Sequence, residues 1–302
     1  MHLCQRIKLT KYEFKRHQKK IGTVENVKKI TNAMQMVSAV KMKKAQKAAL
    51  EGRLYRTMLD QIMQRIFANT SDLASLSIPW LKETEGTRDL YILITSNKGL
   101  CGSFHTNLFK HVFAHIEGQS ASDFITIGKK GADFVTLTRR EVVADFSDED
   151  LSDSVSPVFA LIQEKFLSGS YRAIYVVYNK FISSLKSEPT TMQLLPVRDL
   201  APLEVNTTST HMQSHADYLI EPSVEQLLGP LVEDYLKEKI RGALADSEAS
   251  EHSARMLAMK NATDSAGEIV HSLTLLRNKI RQSQITNELL DMIAAKESTD
   301  VN

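Results

Sequence analysis

The 302-residue sequence predicts a mixed α/β fold, in which long N-terminal and C-terminal helices form an antiparallel coiled coil and the residues between them form a small Rossmann-like α/β domain. The helices are predicted because residues 231–295 contain no proline and only two glycines, and residues 23–68 contain no proline. The domain is predicted because apolar runs of strand length alternate with helical patterns between residues 88 and 200.

The C-terminal run sets the architecture. An unbroken helix over residues 231–295 would be about 97 Å long, at 1.5 Å per residue. A helix of that length needs a partner along most of its length. The other long proline-free run lies at the opposite end of the chain, so we expect the two helices to pair in antiparallel orientation.

The N-terminal helix is expected to begin after Thr23, whose hydroxyl can cap it, and to end before Pro79. An apolar stripe near its start consists of Val27, Ile30, Met34 and Val37. Further on, small and apolar residues recur in alternating steps of three and four, which predicts a coiled-coil seam. The seam positions are Ala45, Ala48, Gly52, Tyr55, Leu59, Ile62 and Ile66.

Three apolar runs predict the strands of a Rossmann-like domain, at residues 89–95, 124–127 and 173–178. Each run is continuous rather than alternating, which is typical of buried parallel strands. Helical patterns lie between them at residues 106–116 and 155–166. We expect domain boundaries that divide the chain into residues 1–85, 86–217 and 218–302, with residues 201–217 forming either a loop or an edge strand.

The C-terminal helix is expected to begin with Ser223 and Gln226 as a capping box, and Pro230 is expected to kink or restart it. A stripe of small residues contains Ala243, Ser247, Ser250 and Ala254. Steps of three and four then predict a second seam. Its positions are Met259, Ala262, Ala266, Ile269, Leu273, Leu276 and Ile280.

Few motifs point to chemistry. The glycine-containing turn at residues 97–103 follows a strand and precedes a helix, where phosphate sites form, but it matches no phosphate-binding signature. A structural turn, with Cys101 as a buried thiol near His105, is therefore favoured. Two histidine pairs at helical spacing, His111 with His115 and His211 with His215, lack the third ligand of a metal site.

Charge is uneven along the chain although the net charge is only +2. Thirteen Lys or Arg and three acids lie between Lys11 and Arg56, which suits an acidic protein, nucleic acid or an anionic membrane. Nucleic acid is disfavoured because no recognition fold is evident. Cys4 and Cys101 form no disulfide framework, which fits a reducing compartment, and no apolar run is long enough to span a bilayer.

Several motifs closely resemble the gamma subunit of F-type ATP synthases. They occur in family order over about residues 20–295 and are specific in combination. The matching segments are residues 30–42 (ITNAMQMVSAVKM), 96–102 (SNKGLCG), 218–223 (YLIEPS), 249–264 (ASEHSARMLAMKNATD) and 278–288 (NKIRQSQITNE).

The resemblance implies a central rotor shaft that makes no bond itself and binds no cofactor. Its terminal helices would lie inside a hexamer of three alpha and three beta subunits, and its α/β domain would sit with an epsilon-type subunit on the ring of c subunits. Proton flow would turn this rotor and drive ATP synthesis on beta. The implied location is peripheral, on the cytoplasmic side of a bacterial inner membrane, or on the matrix side of the mitochondrial inner membrane in a eukaryote.

The resemblance also implies contact residues. Contacts with an acidic lever of beta are implied for Met34, Arg255, Gln282, Thr286 and Glu288, and contacts with the ring for Tyr218 and Glu221. Three other functions would share the composition: a coiled-coil scaffold, a basic nucleic-acid-binding protein, and a nucleotide-binding enzyme that uses the turn at residues 97–103.

Overall fold

The computed structural model describes residues 2–69, 79–81, 84–116, 122–148, 154–197 and 224–300. Over these residues, two long terminal helices enclose an α/β segment in sequence. The elements in chain order are α1 (His2–Asn69), a short 3-10 helix (Pro79–Leu81), β1 (Arg88–Ile94), α2 (Phe104–Ile116), β2 (Ser122–Ile127), α3 (Lys129–Leu137), β3 (Val142–Asp145), α4 (Val155–Leu167), β4 (Tyr171–Ser183), β5 (Lys186–Leu195) and α5 (Val224–Asp300).

The five strands form one mixed sheet in the order β3-β2-β1-β4-β5. β1 pairs in parallel with both β2 and β4, β2 pairs in parallel with β3, and β5 returns antiparallel to β4. The predicted fold class is therefore confirmed. The sequence analysis missed β3, which has only four residues, and β5, which is polar and contains Pro189. It also missed α3, because Gly128–Gly131 resembles a plain turn.

Each face of the sheet carries a helical layer. On one face, Leu90, Ile92 and Ile94 of β1 belong to a buried cluster with α4 and with parts of α1 and α5. On the other face, Tyr91 and Leu93 belong to a second cluster with residues of α2 and α3. The continuous apolar runs of the inner strands follow from this arrangement, because both faces of each strand are covered.

The chain forms two compact units, which we call the helical unit (Met1–Ser38 with Met256–Asn302) and the α/β unit (Ala39–Arg255). Within the helical unit, the hydroxyls of Thr31 and Thr263 are 2.7 Å apart. Within the α/β unit, Lys239 forms an ion pair with Asp60 at 2.8 Å. Lys28 also lies beside Gly267 in the helical unit, and Arg56 beside Gly242 in the α/β unit. In each unit, residues later in α1 therefore meet residues earlier in α5, so the pairing is antiparallel, as predicted.

The domain boundaries expected at residues 85/86 and 217/218 stay a prediction. They follow segments of the sequence, whereas the compact units each combine parts of both terminal helices. The second boundary lies outside the described residues.

The predicted seam of α1 is correct at alternate positions only. Ala45, Leu59 and Ile66 are buried and Gly52 is partly buried. The other predicted positions are exposed, namely Ala48, Tyr55 and Ile62. The observed seam takes the same steps in the other order, through Met42, Ala45, Ala49, Gly52, Arg56, Leu59, Met63 and Ile66.

The first stripe predicted in α1 is also wrong, since Val27, Ile30 and Val37 are exposed and only Met34 is partly buried. The phase error recurs in α5. Met259 and Ala266 are buried and Leu273 and Ile280 partly buried, but Ile269 and Leu276 are 49% and 43% exposed. The positions that replace these two in the seam are partly buried, Val270 and Arg277.

Neither Thr23 nor Pro230 begins a helix, because each lies inside a continuous one. Thr23 does not cap α1 but lies in its interior, where its hydroxyl donates to the carbonyl of Lys19 at 3.1 Å. Helix α5 continues through Pro230 without restarting. That proline is the seventh residue of α5, beyond the four N–H groups that lack an intrahelical partner, so the helix continues there without one of its backbone hydrogen bonds. The capping role expected for Ser223 lies outside the described residues.

Candidate functional site

The turn that follows β1 lies where open α/β sheets bind their ligands. β1 is flanked by β2 on one side and β4 on the other, so the carboxyl end of β1 is the point at which the strand order reverses. Leu100 and Gly102 in this turn adopt positive φ, at 63° and 58°. Ser96 supports the turn by donating its hydroxyl to the carbonyl of Lys98 at 2.7 Å.

The side chain of Asn97 ties this turn to the neighbouring loops. Its Nδ2 donates to the carbonyl of Ser147 at 2.8 Å, and its Oδ1 accepts from the backbone N–H of Lys129 at 2.9 Å. The turn is therefore built into the domain by its own polar groups, as expected for a structural turn.

The buried Cys101 and the partly buried His105 form a cluster at the end of the turn. The Cys101 Sγ lies 3.2 Å from His105 Nδ1, and His105 Nε2 lies 2.9 Å from the Ser96 hydroxyl. Burial raises the pKa of the Cys101 thiol. Burial, and then the positive charge of Arg255, lowers the pKa of His105 to about 4. Both groups are therefore neutral near pH 7, which fits the predicted structural thiol and opposes a reactive thiolate.

Helix α5 fills the crevice at the carboxyl ends of β1 and β4. Ser250, which is 1% exposed, donates its hydroxyl to the carbonyl of Asn179 on β4 at 3.1 Å. Ser253 donates to the carbonyl of Ser184 in the turn between β4 and β5. Residues 249–253 are all buried, so this stretch of α5 is enclosed on every side.

Arg255 completes the attachment from the side of β1. Its side chain donates from Nη2 to the carbonyl of Lys98 at 2.9 Å and from Nε to the carbonyl of Gly99 at 3.2 Å. Its Nη1 donates to the Glu251 carboxylate at 2.6 Å, one helical turn earlier. Arg255 is 7% exposed, so the guanidinium points into the chain rather than into solvent.

The other predicted contact residues lie in the helical unit. Met34 is partly buried in α1, and its carbonyl accepts the hydroxyl of Ser38. Gln282, Thr286 and Glu288 lie together on about two exposed turns of α5, where the Thr286 hydroxyl donates to the carbonyl of Gln282 at 3.0 Å. Tyr218 and Glu221 lie outside the described residues.

The histidine pair that the structure describes, His111 with His115, lies in α2. The rings of His111 and His115 are 4.2 Å apart, but His111 Nε2 is hydrogen-bonded to the Thr191 hydroxyl at 3.0 Å. Burial, and then His115, lowers the pKa of His111. Over the described ranges no group of three or more His, Cys, Asp or Glu side chains is placed to hold a metal ion. The second pair, His211 and His215, lies outside those ranges.

The surface of α1 carries both charge and apolar side chains. Its lysines are exposed, as predicted for a basic helix: Lys28, Lys29, Lys41, Lys43, Lys44 and Lys47. Large apolar side chains on the same helix are also exposed, with Ile30 at 60% and Val40 at 70%. Among the described helices, none is both long and apolar enough to cross a membrane.

Sequence reasoning found part of this site. Ser247 and Ser250 were predicted only as members of a stripe of small residues, and their neighbours Glu251 and Ser253 were not singled out. The available signal was a run of small polar residues inside an otherwise helical stretch, since buried polar groups need partners.

The fold and the site define a coiled-coil protein whose α/β domain is fastened to its C-terminal helix at the place where such sheets otherwise bind ligands. A family model described as ATP synthase matches residues 13–298. The gamma chain of the ATP synthase of Psychrobacter sp. (strain PRwf-1) is 34% identical over 282 residues, which cover 91% of this chain and 94% of the relative. The Opitutus terrae gamma chain is 36% identical over 287 residues, or 92% and 96% of the two chains.

Two solved structures share the fold. A chain in the cryo-EM structure of the Euglena gracilis mitochondrial ATP synthase (OSCP/F1/c-ring) has a TM-score of 0.61 at 17% identity, covering 96% of this chain and 95% of that one. A chain in the central stalk and c-ring structure of the Tetrahymena thermophila enzyme has a TM-score of 0.58 at 23% identity, covering 77% and 99%. The chain belongs to the ATP synthase gamma chain family.

Proposed function

We propose that this chain is the rotating central-stalk subunit of an F-type ATP synthase and that it transmits torque without catalysing a reaction itself. The observation that carries the proposal is the docking of α5 in the crevice at the end of β1. In related α/β folds that crevice binds a ligand. Here it holds the chain's own helix, as expected if the domain serves to attach the helices rather than to bind nucleotide.

The proposed partners are three alpha and three beta subunits around the paired helices, and an epsilon-type subunit and the c ring at the α/β domain. The exposed lysines of α1 support an acidic partner. Screened contacts between exposed charges contribute only about 0–1 kcal/mol each, so they attract a partner without holding the rotor at one angle. The complex would be peripheral to a bacterial inner membrane on its cytoplasmic side, or to a mitochondrial one on the matrix side.

Contacts with the acidic lever of beta are proposed for Met34, Gln282, Thr286 and Glu288, with Arg255 acting behind them. Gln282, Thr286 and Glu288 are exposed, which supports this assignment. Tyr218 and Glu221 are proposed to meet the c ring.

Co-purification tests the proposal. The tagged chain would be extracted from membranes in mild detergent, and the bound subunits counted and assayed for ATP hydrolysis. We expect alpha and beta in equal numbers, three of each per tagged chain, with hydrolysis that depends on beta. Recovery of the chain alone, or with nucleic acid, would contradict the proposal and favour the scaffold or the nucleic-acid-binding protein.

A substitution tests the lever contact separately. Met34→Lys is expected to reduce the number of protons pumped per ATP hydrolysed, because it adds a cation facing an acidic partner. Asn32→Lys places the same charge on an exposed position of the same helix and serves as the control. Equal coupling in the parent and in Met34→Lys would remove Met34 from the proposed contact.

A further inference from the structure

We propose that residues 250–255 of α5 form a torque joint, in which side-chain hydrogen bonds from Ser250, Ser253 and Arg255 to backbone carbonyls prevent the helix from slipping against the α/β domain. The inference rests on the proposed rotor function, because it concerns how force passes through the chain. It assigns these residues an internal role, in place of contact with a partner.

The joint has two arms, one on the turn after β1 and the other on the neighbouring strand β4 and the turn that follows it. Arg255 binds the turn after β1 through the carbonyls of Lys98 and Gly99. Ser250 and Ser253 bind β4 and the turn that follows it. A rotation of α5 about its axis would have to move donors away from both arms at once, so the two arms together resist rotation in either direction.

The chemistry of the joint suits a load-bearing contact. Apolar contacts depend on area and have no preferred direction, so apolar surfaces can slide over each other while they stay buried. Hydrogen bonds weaken steeply when their geometry is lost. All the acceptors in this joint are backbone carbonyls, which cannot rotate away as a side chain could. The hydrogen bond from Ser250 to Asn179 is also buried, which keeps water from replacing it once it is broken.

Arg255 is held ready for this role by its own helix. The Glu251 carboxylate, 2.6 Å from Nη1, fixes the guanidinium so that Nη2 and Nε point at the two carbonyls of the turn. A planar guanidinium can serve such a pair of acceptors, whereas a lysine ammonium is a single point of charge. Arg255 is therefore a positioning residue, which acts through the turn at residues 96–102.

The experiment uses the complete enzyme in sealed membrane vesicles and compares the parent with the double variant Ser250→Ala/Ser253→Ala. ATP hydrolysis and ATP-driven proton uptake are measured together, first without and then against an imposed proton gradient. Ser265→Ala/Ser272→Ala is the matched control, because both of these serines are exposed on the same helix.

We expect the double variant to hydrolyse ATP at close to the parent rate and to pump roughly half as many protons per ATP or fewer, since one buried and one partly buried hydrogen bond are lost. The deficit should grow as the opposing gradient rises, because slipping increases with load. A merely structural defect would lower the amount of assembled enzyme, and with it hydrolysis and pumping in equal proportion.

An equal pumping ratio in the double variant, the control and the parent at every gradient would overturn the joint while leaving the rotor proposal intact. A parent chain that assembles no hexamer or pumps no protons would instead overturn the rotor proposal. Should the double variant fail to assemble, the single variants Ser250→Ala and Ser253→Ala are measured in the same way, and ratios equal to that of the parent would again overturn the joint.

Discussion

Gly128 is a position at which the addition of a single methyl group should lower the stability of the fold. It precedes α3 with φ 102° and ψ 133°, a conformation that side chains other than hydrogen rarely adopt. A Cβ built on it would lie 2.5 Å from the carbonyl oxygen of Thr95 and 2.7 Å from its Oγ1. Thr95 has little room to move, because its N–H donates to the carbonyl of Ile127 at 2.8 Å and its hydroxyl accepts from the N–H of Gly131 at 2.8 Å.

Gly169 offers a control that separates strain from contact. It follows α4 with φ 70°, but nothing lies within 4 Å of the Cβ that it would gain. Gly169→Ala should therefore cost only the conformational term, about 1–2 kcal/mol. Gly128→Ala should cost a backbone term of about 1–3 kcal/mol and, in addition, about 1–3 kcal/mol for overpacking against the Thr95 backbone.

The measurement is urea unfolding of the whole chain, followed by circular dichroism. We expect both midpoints to fall, that of Gly128→Ala by at least twice as much, with unchanged slopes. Gly22 in α1 has open space and an ordinary helical backbone, so Gly22→Ala should instead stabilise the chain by about 0.5–1 kcal/mol. If Gly128→Ala and Gly169→Ala lower the midpoint equally, the close approach of Gly128 to Thr95 is refuted.

Three further predictions concern the buried Met63, the partly buried His105, and the paired hydroxyls of Thr31 and Thr263. Met63→Ala should lower the free energy of unfolding by about 2–5 kcal/mol, because Met63 is fully buried in the seam. Met58→Ala, at an exposed position, should change it by less than about 0.5 kcal/mol. Equal unfolding midpoints for the two variants would contradict the observed seam. Burial lowers the pKa of His105 from 6.5 to about 4, so the unfolded chain binds a proton at a higher pH than the folded chain does. The free energy of unfolding should therefore fall by about 3 kcal/mol as the pH is lowered from 6.5 to about 4. His105→Gln should flatten that part of the stability profile, and an unchanged slope would exclude His105 as its source. A double-mutant cycle of Thr31→Val and Thr263→Val should give a coupling of about 0.5–1.5 kcal/mol from thermal unfolding, and a coupling of zero would deny their hydrogen bond.

The fold class could be predicted because its signals are local. A proline-free run and a continuous apolar run each identify an element from neighbouring residues alone. The elements that escaped prediction lack such signals: β5 is ordered by pairing with β4, and α3 begins directly after a glycine that adopts positive φ. Their structure depends on neighbours that are distant in sequence.

The seam was misplaced because two heptad phases fit the same residues equally well in steps of three and four. Ala48, Tyr55 and Ile62 belong to one phase, and Ala49, Arg56 and Met63 belong to the other. The structure selects the set that contains Arg56, because the side chain of Arg56 lies across Gly52 and Gly242. A Cβ on Gly242 would be 3.0 Å from Arg56 Cδ and one on Gly52 would be 2.6 Å from Nη1. Gly52 and Gly242 therefore mark the seam.

The same error of judgement explains why the joint was not predicted. Size alone places Ser250 in a stripe of small residues and gives its hydroxyl no role. Its hydroxyl is a donor whose acceptor lies on β4, and an arginine predicted to face a partner donates to a turn after β1. Sequence alone cannot pair donors with acceptors so far apart. A buried polar group nevertheless demands a partner, so a helix segment as polar as residues 250–255 must be enclosed either by another subunit or by its own chain. Here it is enclosed by its own chain, and that is the reason for treating the segment as an internal joint.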